Sequence, residues 1–218
     1  MSRAAKQRRA GTRRGGPRRN YHHGNLRRAL LDSALALVER EGAEALTLRA
    51  AARRAGVSQA APYRHFQDKD ALLAAVAEEG FRAMTEGMRR ATIPYEGDPL
   101  GRFRARGLAY IEFATTHRAH FRVMFGRVAA DRSKYPGLMD AAREAFELLV
   151  AAIKDCQQVG LVRGGNAEEL ALCAWSATHG LSALTVDGQL SDQAGRLGDL
   201  AQAVTTNVYL GLGPRSTS

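Results

Sequence analysis

Apolar residues recur at helical spacing along almost the whole chain of 218 residues. In the first such run, Leu26, Leu30, Ala34 and Leu37 are three or four positions apart and would share one face of a helix. No segment alternates apolar and polar residues between turn signals, as a half-buried strand does. The sequence therefore predicts an all-α fold, and it contains no internal repeat.

Capping residues mark the ends of the predicted helices. Thr47, Ser58, Asp68 and Asn166 each precede a helical run and can accept a hydrogen bond from an N–H group of its first turn. Gly56 follows one run directly, as glycine often does at a helix end. The predicted helices span 25–41, 48–55, 58–66, a longer segment after Asp68, 100–116, 120–128, 138–158, 167–186 and 192–210.

The segment Ile93–Pro99 interrupts this pattern, because it contains two prolines and a glycine. Residues 1–20 are rich in Arg, Gly and Pro without periodicity, which is typical of a disordered arm. We therefore predict a disordered basic arm over 1–20, an N-terminal helical domain over 21–84 and a C-terminal helical domain over 85–213.

The positive charge of the chain is concentrated at one end. Residues 1–70 hold 16 Lys and Arg against 6 Asp and Glu, whereas residues 71–218 hold 16 of each. A basic block joined to a neutral body indicates that the N-terminal part meets a polyanion. Charge alone leaves nucleic acid, an anionic membrane surface and a transit peptide open. The arm itself has two interpretations: it lies along the minor groove or backbone of DNA, or it is a non-specific solubilising tail.

Several classes of protein are disfavoured. The two cysteines, Cys156 and Cys173, are too few for a disulfide framework or a four-cysteine zinc site, and the adjacent His22 and His23 have no ligand partner at metal-binding spacing. There is no apolar run long enough to span a membrane and no secretory signal pattern. Phosphate loops and nucleophile motifs are also missing. We expect a cytoplasmic protein that is not an enzyme and carries no metal or cofactor.

The stretch from Thr47 to Phe66 has the layout of a helix-turn-helix. One helix ends at Gly56, Val57 turns into the core, and Ser58 begins a second helix. Short helices of this kind fit the major groove of DNA, where their first side chains reach the edges of bases. A plain helical hairpin would look similar, but the basic block favours DNA binding.

Three motifs resemble the DNA-binding domain of the TetR (tetracycline-repressor-like) family. They are Tyr21-His-His-Gly-Asn-Leu-Arg27, the 47–66 stretch with its Gly-Val-Ser and Tyr-x-His-Phe elements, and Asp68-Lys-Asp-Ala-Leu72. In addition, Trp175-Ser-Ala-Thr-His-Gly-Leu181 resembles a subgroup whose C-terminal domain carries a Trp-His-Gly signature. The resemblance implies a homodimeric all-α transcription regulator, usually a repressor, with a three-helix helix-turn-helix domain and a C-terminal ligand-binding and dimerisation domain.

The resemblance also assigns roles to individual residues. It implies that Ser58, Gln59 and Ala60 begin the recognition helix and face bases or backbone; physically, Gln59 can bond adenine through two hydrogen bonds and Ala60 can meet a thymine methyl. Phosphate contacts are expected from Thr47, Arg49, Tyr63, Arg64, His65 and Lys69.

Pro62 departs from the family pattern, in which an aliphatic residue commonly precedes the tyrosine. Because proline has no N–H, it removes one hydrogen bond from the first turns of the helix. We therefore expect the recognition helix to be short or bent.

The neutral C-terminal region holds most of the aromatic residues, and two interpretations remain open. They form a packed core, or some of them line an apolar cavity with a few polar anchors that binds a small-molecule inducer. Trp175 and His179 lie one turn apart on the same predicted helix face. The candidate cavity residues are Phe103, Tyr110, Phe113, His117, Phe121, Met124, Phe146, Trp175 and His179.

The last two predicted helices each carry an apolar stripe, so pairing them between two chains would form a four-helix interface. A two-fold dimer would bind a palindromic operator in double-stranded DNA with half-sites roughly 34–36 Å apart. Two alternatives remain: a ligand-independent architectural DNA-binding protein, and a small helical enzyme or binding protein with an incidental basic tail.

Overall fold

In a computed structural model of the chain, the described residues are 26–126 and 131–214. All regular structure in these two ranges is helical, as the apolar periodicity predicts. The α-helices are α1 (Leu26–Glu41), α2 (Leu48–Ala55), α3 (Lys69–Ala91), α4 (Pro99–Thr116), α5 (Arg118–Met124), α6 (Pro136–Gln158), α7 (Ala167–Val186) and α8 (Leu197–Leu212). Shorter 3₁₀ segments lie at Ala43–Ala45, Ala61–Arg64, Ile93–Tyr95, Arg132–Lys134 and Ser191–Arg196.

The predicted caps of α2, α3 and α7 are confirmed. The Thr47 hydroxyl accepts from the Ala50 N–H at 3.0 Å, and the Asp68 carboxylate accepts from the Ala71 N–H at 2.7 Å. Asn166 accepts from two N–H groups at the start of α7. The cap of α4 was not predicted: the Asp98 carboxylate accepts from the N–H of Gly101.

The prediction of an α-helix over 58–66 with Ser58 as its cap is wrong. The segment forms only a four-residue 3₁₀ helix, Ala61–Arg64, and the Ser58 carbonyl accepts from the N–H of Ala61, three residues on. In an α-helix the same carbonyl would accept from residue 62, but Pro62 has no N–H to donate. The prediction that Pro62 shortens this helix is therefore confirmed.

Other helix boundaries also differ from the predictions: α4 begins one residue earlier, α5 and α6 each begin two residues earlier, and α8 ends two residues later. α5 ends at Met124, and Val128, its predicted last residue, lies outside the described part of the chain. α8 begins at Leu197, because the preceding residues, from Ser191 to Arg196, form a 3₁₀ segment. The predicted basic arm and the Tyr21–Asn25 part of the first motif also lie outside the described residues.

Helix α3 is the centre of the packing. Its buried residues join those of α1, α2, α4, α5 and α6 in one apolar core, so α3 continues unbroken through the predicted domain boundary between residues 84 and 85. Gly80 allows α5 to pack closely on α3, since a Cβ atom there would lie 2.5 Å from the sulfur of Met124. A second cluster joins α4, α6, α7 and α8 around Phe103, Ile153 and Leu170.

Ion pairs also hold α1 against α3. The Arg28 guanidinium donates to Asp32 one turn along α1 at 2.6 Å and reaches Glu79 of α3 at 3.3 Å.

Burial and the neighbouring charges of His117 and Arg28 lower the pKa of His120, on α5, to about 4, although Asp32 opposes this effect. His120 is therefore neutral in the folded protein near pH 7.

None of the helices in the two described ranges is long and apolar enough to cross a bilayer. The same residues also contain no group of three or more His, Cys, Asp and Glu side chains that could hold a metal ion.

We predict that His120 makes the fold less stable in weak acid. The ordinary pKa of histidine, 6.5, exceeds the value of about 4 in the folded state, so the unfolded chain binds more protons between these pH values. Stability is thus present above pH 6.5 and declines as the pH falls towards 4. Replacing His120→Gln should reduce the loss of unfolding free energy between pH 7 and 5 by about 1–2 kcal/mol, allowing for partial solvent exposure.

Urea denaturation at several pH values measures this effect, and His65→Gln, at an exposed histidine, is the matched control. Stability curves of wild type and His120→Gln that run parallel from pH 7 to 5 would contradict the prediction.

Candidate functional site

The first candidate site consists of α2 and residues 58–66, which we call the recognition turn. The N–H of Val57 donates to the Ala52 carbonyl at 3.0 Å, and the N–H of Gly56 donates to the Arg53 carbonyl at 3.2 Å, a pairing that closes the end of α2. Gly56 has a φ of 70°, which other residues resist. The chain therefore leaves α2 at this glycine, and Val57 packs against the core.

Two apolar side chains anchor the recognition turn. Pro62 is buried and Phe66 is 5% exposed, and the Arg27 guanidinium of α1 lies 5.8 Å from the centre of the Phe66 ring. The remaining side chains of the turn project into solvent. The predicted DNA contacts that are exposed in this way are Ser58, Gln59, Ala60, Tyr63, Arg64 and His65.

Four exposed arginines flank this surface: Arg49, Arg53 and Arg54 on α2, and Arg64 on the turn. None of them forms an ion pair with another residue of the described ranges, so their charges are available to an anion. Arg53 and Arg54 were not among the predicted contacts. Their signal was present in the sequence, since Arg53 is one helical turn beyond Arg49.

Thr47 and Lys69 already have partners within the protein. The Thr47 hydroxyl caps α2, and the Lys69 ammonium donates to the Glu44 carbonyl at 3.0 Å, with the Glu44 carboxylate 4.0 Å away. Lys69 thus joins the start of α3 to the 3₁₀ segment before α2. This arrangement presents a rigid, positively charged edge with polar side chains, which suits phosphates and the edges of bases.

The second candidate site is a cavity of about 390 Å³ within the C-terminal part of the fold. Four predicted residues line it: Phe103, Tyr110, Phe146 and Trp175. The other five predicted residues are not part of its wall. Phe113 stacks on His117 at 4.6 Å, away from the cavity; Met124 packs on Gly80; and Phe121 and His179 lie behind Tyr110 and Trp175.

The polar atoms of Tyr110, Trp175 and His179 form a hydrogen-bonded row. The indole N–H of Trp175 donates to the Tyr110 hydroxyl at 3.2 Å, and the hydroxyl lies 2.7 Å from Nδ1 of His179. Since that hydroxyl accepts from Trp175, its proton is free to go to His179 Nδ1. Burial lowers the pKa of His179 and raises that of Tyr110, so both groups remain neutral.

Most of the cavity wall was not predicted. Three of the missed residues, Phe81, Met84 and Met88, come from α3, and others come from α4, α6, α7 and α8: Arg106, Gly107, Met139, Arg143, Leu149, Leu172, Thr178, Thr205 and Val208. The α3 residues share a helical stripe with core residues, so spacing alone does not separate the two groups. Membership of the wall depends on how the helices cross.

Comparison with known proteins agrees with this architecture. The family of bacterial regulatory proteins called tetR matches residues 30–76, and the family described as tetracyclin repressor-like, C-terminal domain, matches residues 103–208. No curated protein matches the chain significantly.

Three solved structures illustrate the likeness. A protein of unknown function from Rhodococcus sp. RHA1 is 34% identical, covers 90% of this chain and 100% of its own, and has a TM-score of 0.76. The TetR family transcriptional regulator PfmR from Thermus thermophilus is 19% identical over 85% of this chain and 99% of its own, with a TM-score of 0.68. SmeT in complex with triclosan is 20% identical over 87% of this chain and 92% of its own, with a TM-score of 0.67.

The structure combines a helix-turn-helix, beside which four arginines form no ion pair with the described residues, and a domain that contains a cavity. One long helix joins the two. This combination defines a ligand-responsive class of DNA-binding protein. This chain belongs to the TetR family of transcriptional regulators, whose members bind DNA and are not enzymes.

We predict that the Tyr110 hydroxyl stabilises the C-terminal domain. Tyr110→Phe removes the acceptor of the Trp175 N–H and the partner of His179 Nδ1, both partly buried, and should lower the free energy of unfolding by about 1–3 kcal/mol. Thermal and urea unfolding measure the loss. Tyr95→Phe, at a tyrosine that is 41% exposed, is the matched control and should be nearly neutral. Equal stability of the two variants would contradict the prediction.

Proposed function

We propose that this TetR-family regulator is a homodimeric repressor that binds a palindromic operator and releases it when a small-molecule inducer occupies the cavity. One observation carries the proposal: α3 begins directly after the recognition turn and also forms part of the cavity wall. A single helix thus joins the proposed DNA-binding and ligand-binding surfaces. Residues 21–84 would form the DNA-binding domain and 85–213 the regulatory and dimerisation domain.

DNA would be bound mainly by the recognition turn and the four arginines beside it. Gln59 and Ala60 are exposed at the start of the turn and would read base edges, with Ser58 at their side. Tyr63, Arg64 and His65 would contact phosphates, together with Arg49 and the N-terminus of α2 at Thr47. Lys69, already bonded to Glu44, would serve chiefly to position α3. The basic arm over residues 1–20 would add contacts along the minor groove.

Transmission would proceed through α3. Its 23 residues extend about 34 Å from the Asp68 cap beside the turn, and the cavity residues Phe81, Met84 and Met88 lie on its second half. A ligand that prefers one position of these side chains also favours one position of α3, and hence one spacing of the two recognition turns in a dimer. Binding of the ligand would then lower the affinity for the operator, and binding of the operator would lower the affinity for the ligand by the same factor.

The dimer would form through the outer faces of α7 and α8. Residues 171–186 and 200–213 contain no Asp, Glu, Lys or Arg, yet exposed side chains lie on both helices. Leu172, Leu184 and Leu210 are 50%, 47% and 65% exposed, and Ala177 and Gly180 keep the α7 face flat between the first two. An uncharged, flat apolar face of this kind is suited to a four-helix interface.

Because of its Trp-His-Gly motif, the chain would belong to the subgroup with that signature. Trp175 and Tyr110 would anchor the ligand in the cavity. Phe103 and Phe146 would contact the inducer directly, whereas Phe121, His179, Phe113, His117 and Met124 would act by supporting the wall. The protein would work in the cytoplasm and lie on the nucleoid when bound to its operator.

Operator binding can be tested by gel shift with the DNA immediately upstream of the gene. We expect the wild-type protein to prefer this fragment to scrambled DNA at moderate salt, and its affinity to fall steeply as salt rises. Gln59→Ala and Tyr63→Ala should weaken the specific complex by about tenfold each, since each contact is worth roughly 1–3 kcal/mol.

Gln158→Ala and Tyr95→Ala are matched controls, because both residues are exposed on the C-terminal part of the fold, away from the recognition turn. Equal binding to upstream and scrambled DNA would point instead to an architectural role. No binding to either fragment would refute the proposed DNA-binding surface.

Sedimentation velocity at micromolar concentration tests the dimer. We expect Ala177→Asp, which places a charge at the centre of the proposed interface, to shift the protein from dimer to monomer. Ala151→Asp is the matched control, because Ala151 is an equally exposed alanine on α6. A wild-type monomer, or a dimer that Ala177→Asp leaves intact, would contradict this interface.

A further inference from the structure

The cavity wall contains six side chains with polar atoms, and none of them is acidic. They are Arg106, Tyr110, Arg143, Trp175, Thr178 and Thr205. The remaining wall is apolar and aromatic. Any preference of the cavity for charged ligands must therefore come from its two guanidinium groups. The hydrogen bonds and ion pairs within the protein show which of the six polar side chains remains available to a ligand.

Five of the six already have partners. The hydroxyls of Thr178 and Thr205 donate to carbonyls of their own helices, at 2.9 Å in each case. Trp175 and Tyr110 belong to the row that ends at His179. Arg143 donates to Asp140 at 2.7 Å and lies 3.7 Å from Glu147, so its charge is compensated at the surface.

Arg106 is the exception. Its Nε and Nη1 atoms are buried, and no residue of the described ranges accepts a hydrogen bond from them. Asp155, whose charge acts on Arg106, accepts at 3.1 Å from Arg102, which lies one turn earlier on α4. Asp155 thus pairs with Arg102, and Arg106 forms no ion pair with any carboxylate of the described residues.

This arrangement is unfavourable in the ligand-free protein. Like charges four residues apart destabilise a helix, and a buried donor without an acceptor loses the hydrogen bonds that water would provide. Burial and the charge of Arg102 lower the pKa of Arg106, but a guanidinium remains protonated at neutral pH. Its positive charge, which no carboxylate of the described residues pairs with in a salt bridge, is therefore a permanent feature of this wall.

We propose that the inducer is an amphiphilic monoanion, an apolar body that carries one carboxylate, and that Arg106 binds this carboxylate. The proposal rests on the proposed function of the cavity and names the chemical class of its ligand. A carboxylate matches the fork geometry of a guanidinium and would restore charge balance around Arg102, Arg106 and Asp155.

The apolar body would lie along the rest of the wall. Phe103 and Phe146 provide flat aromatic surface, and Met84, Met88 and Met139 provide flexible thioether side chains that adapt to ligands of different shape. A volume of about 390 Å³ fits a small monocarboxylate with an alkyl chain or fused rings. A dianion would bind poorly, because only one guanidinium of the wall lacks an ion-pair partner. An organic cation would also bind poorly, because the wall contains no carboxylate to pair with it.

Fluorescence titration of Trp175, the only tryptophan of the chain, tests the proposal in the full-length protein. The probes are decanoate and naphthoate, the neutral analogues decanol and naphthylmethanol, and the cation decylamine. We expect the wild type to bind each carboxylate at least about tenfold more tightly than its alcohol, and decylamine least of all.

Arg106→Met should abolish the preference for carboxylate over alcohol while binding of the alcohols is kept, and Arg106→Lys should retain part of the preference. Arg89→Met is the matched control: Arg89 lies outside the cavity wall, its charge is paired with Glu144, and its loss should leave the preference unchanged. Equal affinity of the wild type for carboxylates and alcohols, or no binding of either carboxylate, would overturn the proposal.

Thermal unfolding without ligand provides a second readout. Because Arg106 lacks a partner, Arg106→Met should raise Tm by roughly 2 °C or more, and decanoate should no longer raise it further. A marked fall in Tm would show that Arg106 instead has a structural partner, for example in a dimer, and would overturn the proposal.

The preference for a carboxylate and the coupling of the cavity to the operator can be tested separately. If the alcohols bind as well as the carboxylates and release upstream DNA in the gel shift, the cavity is an inducer site but Arg106 does not select an anion. If decanoate binds through Arg106 and yet leaves the DNA complex intact, the anion site stands and the proposed coupling to the operator fails.

Discussion

The fold of this protein depends on the burial of α3 from several sides at once. Apolar residues along its length pack against α1 and α2 near its start and against α4, α5 and α6 further on. Since core packing is as dense as an organic crystal, a displacement at one end of such a helix is not absorbed locally. The same packing that stabilises the molecule therefore joins its two functional surfaces mechanically.

The two surfaces differ in how their polar groups are satisfied. On the DNA-binding side, four arginines remain in solvent without an ion pair to any residue of 26–126 or 131–214, and an unpaired charge costs little there. In the cavity, nearly every polar group has an internal partner, as buried polar groups generally do. Arg106 breaks that rule, and native proteins usually retain such an exception where function requires it. Arg106 is thus the functional candidate among the six polar side chains of the wall.

Much of the local structure could be predicted because short-range chemistry decides it. Thr47, Asp68 and Asn166 cap helices through bonds to residues two or three positions away, and Gly56 ends α2 because it adopts a left-handed backbone. The recognition turn was only half predicted: the effect of Pro62 was foreseen, but the α-helix over 58–66 was not found. In this segment the missing N–H of Pro62 prevented an α-helix, although Ser58 is a good capping residue.

The cavity was harder to predict because it belongs to no single segment. Four of nine candidate residues line it, and the other five lie on the same or neighbouring helices but are not part of its wall. The sequence by itself determined the helices, most of their ends, the family and the basic N-terminal part, since periodicity, caps and charge are read within a few residues. Only the tertiary structure decided which side chains meet in the cavity and that Arg106 pairs with no carboxylate of the described part of the chain, because both depend on how helices distant in sequence cross.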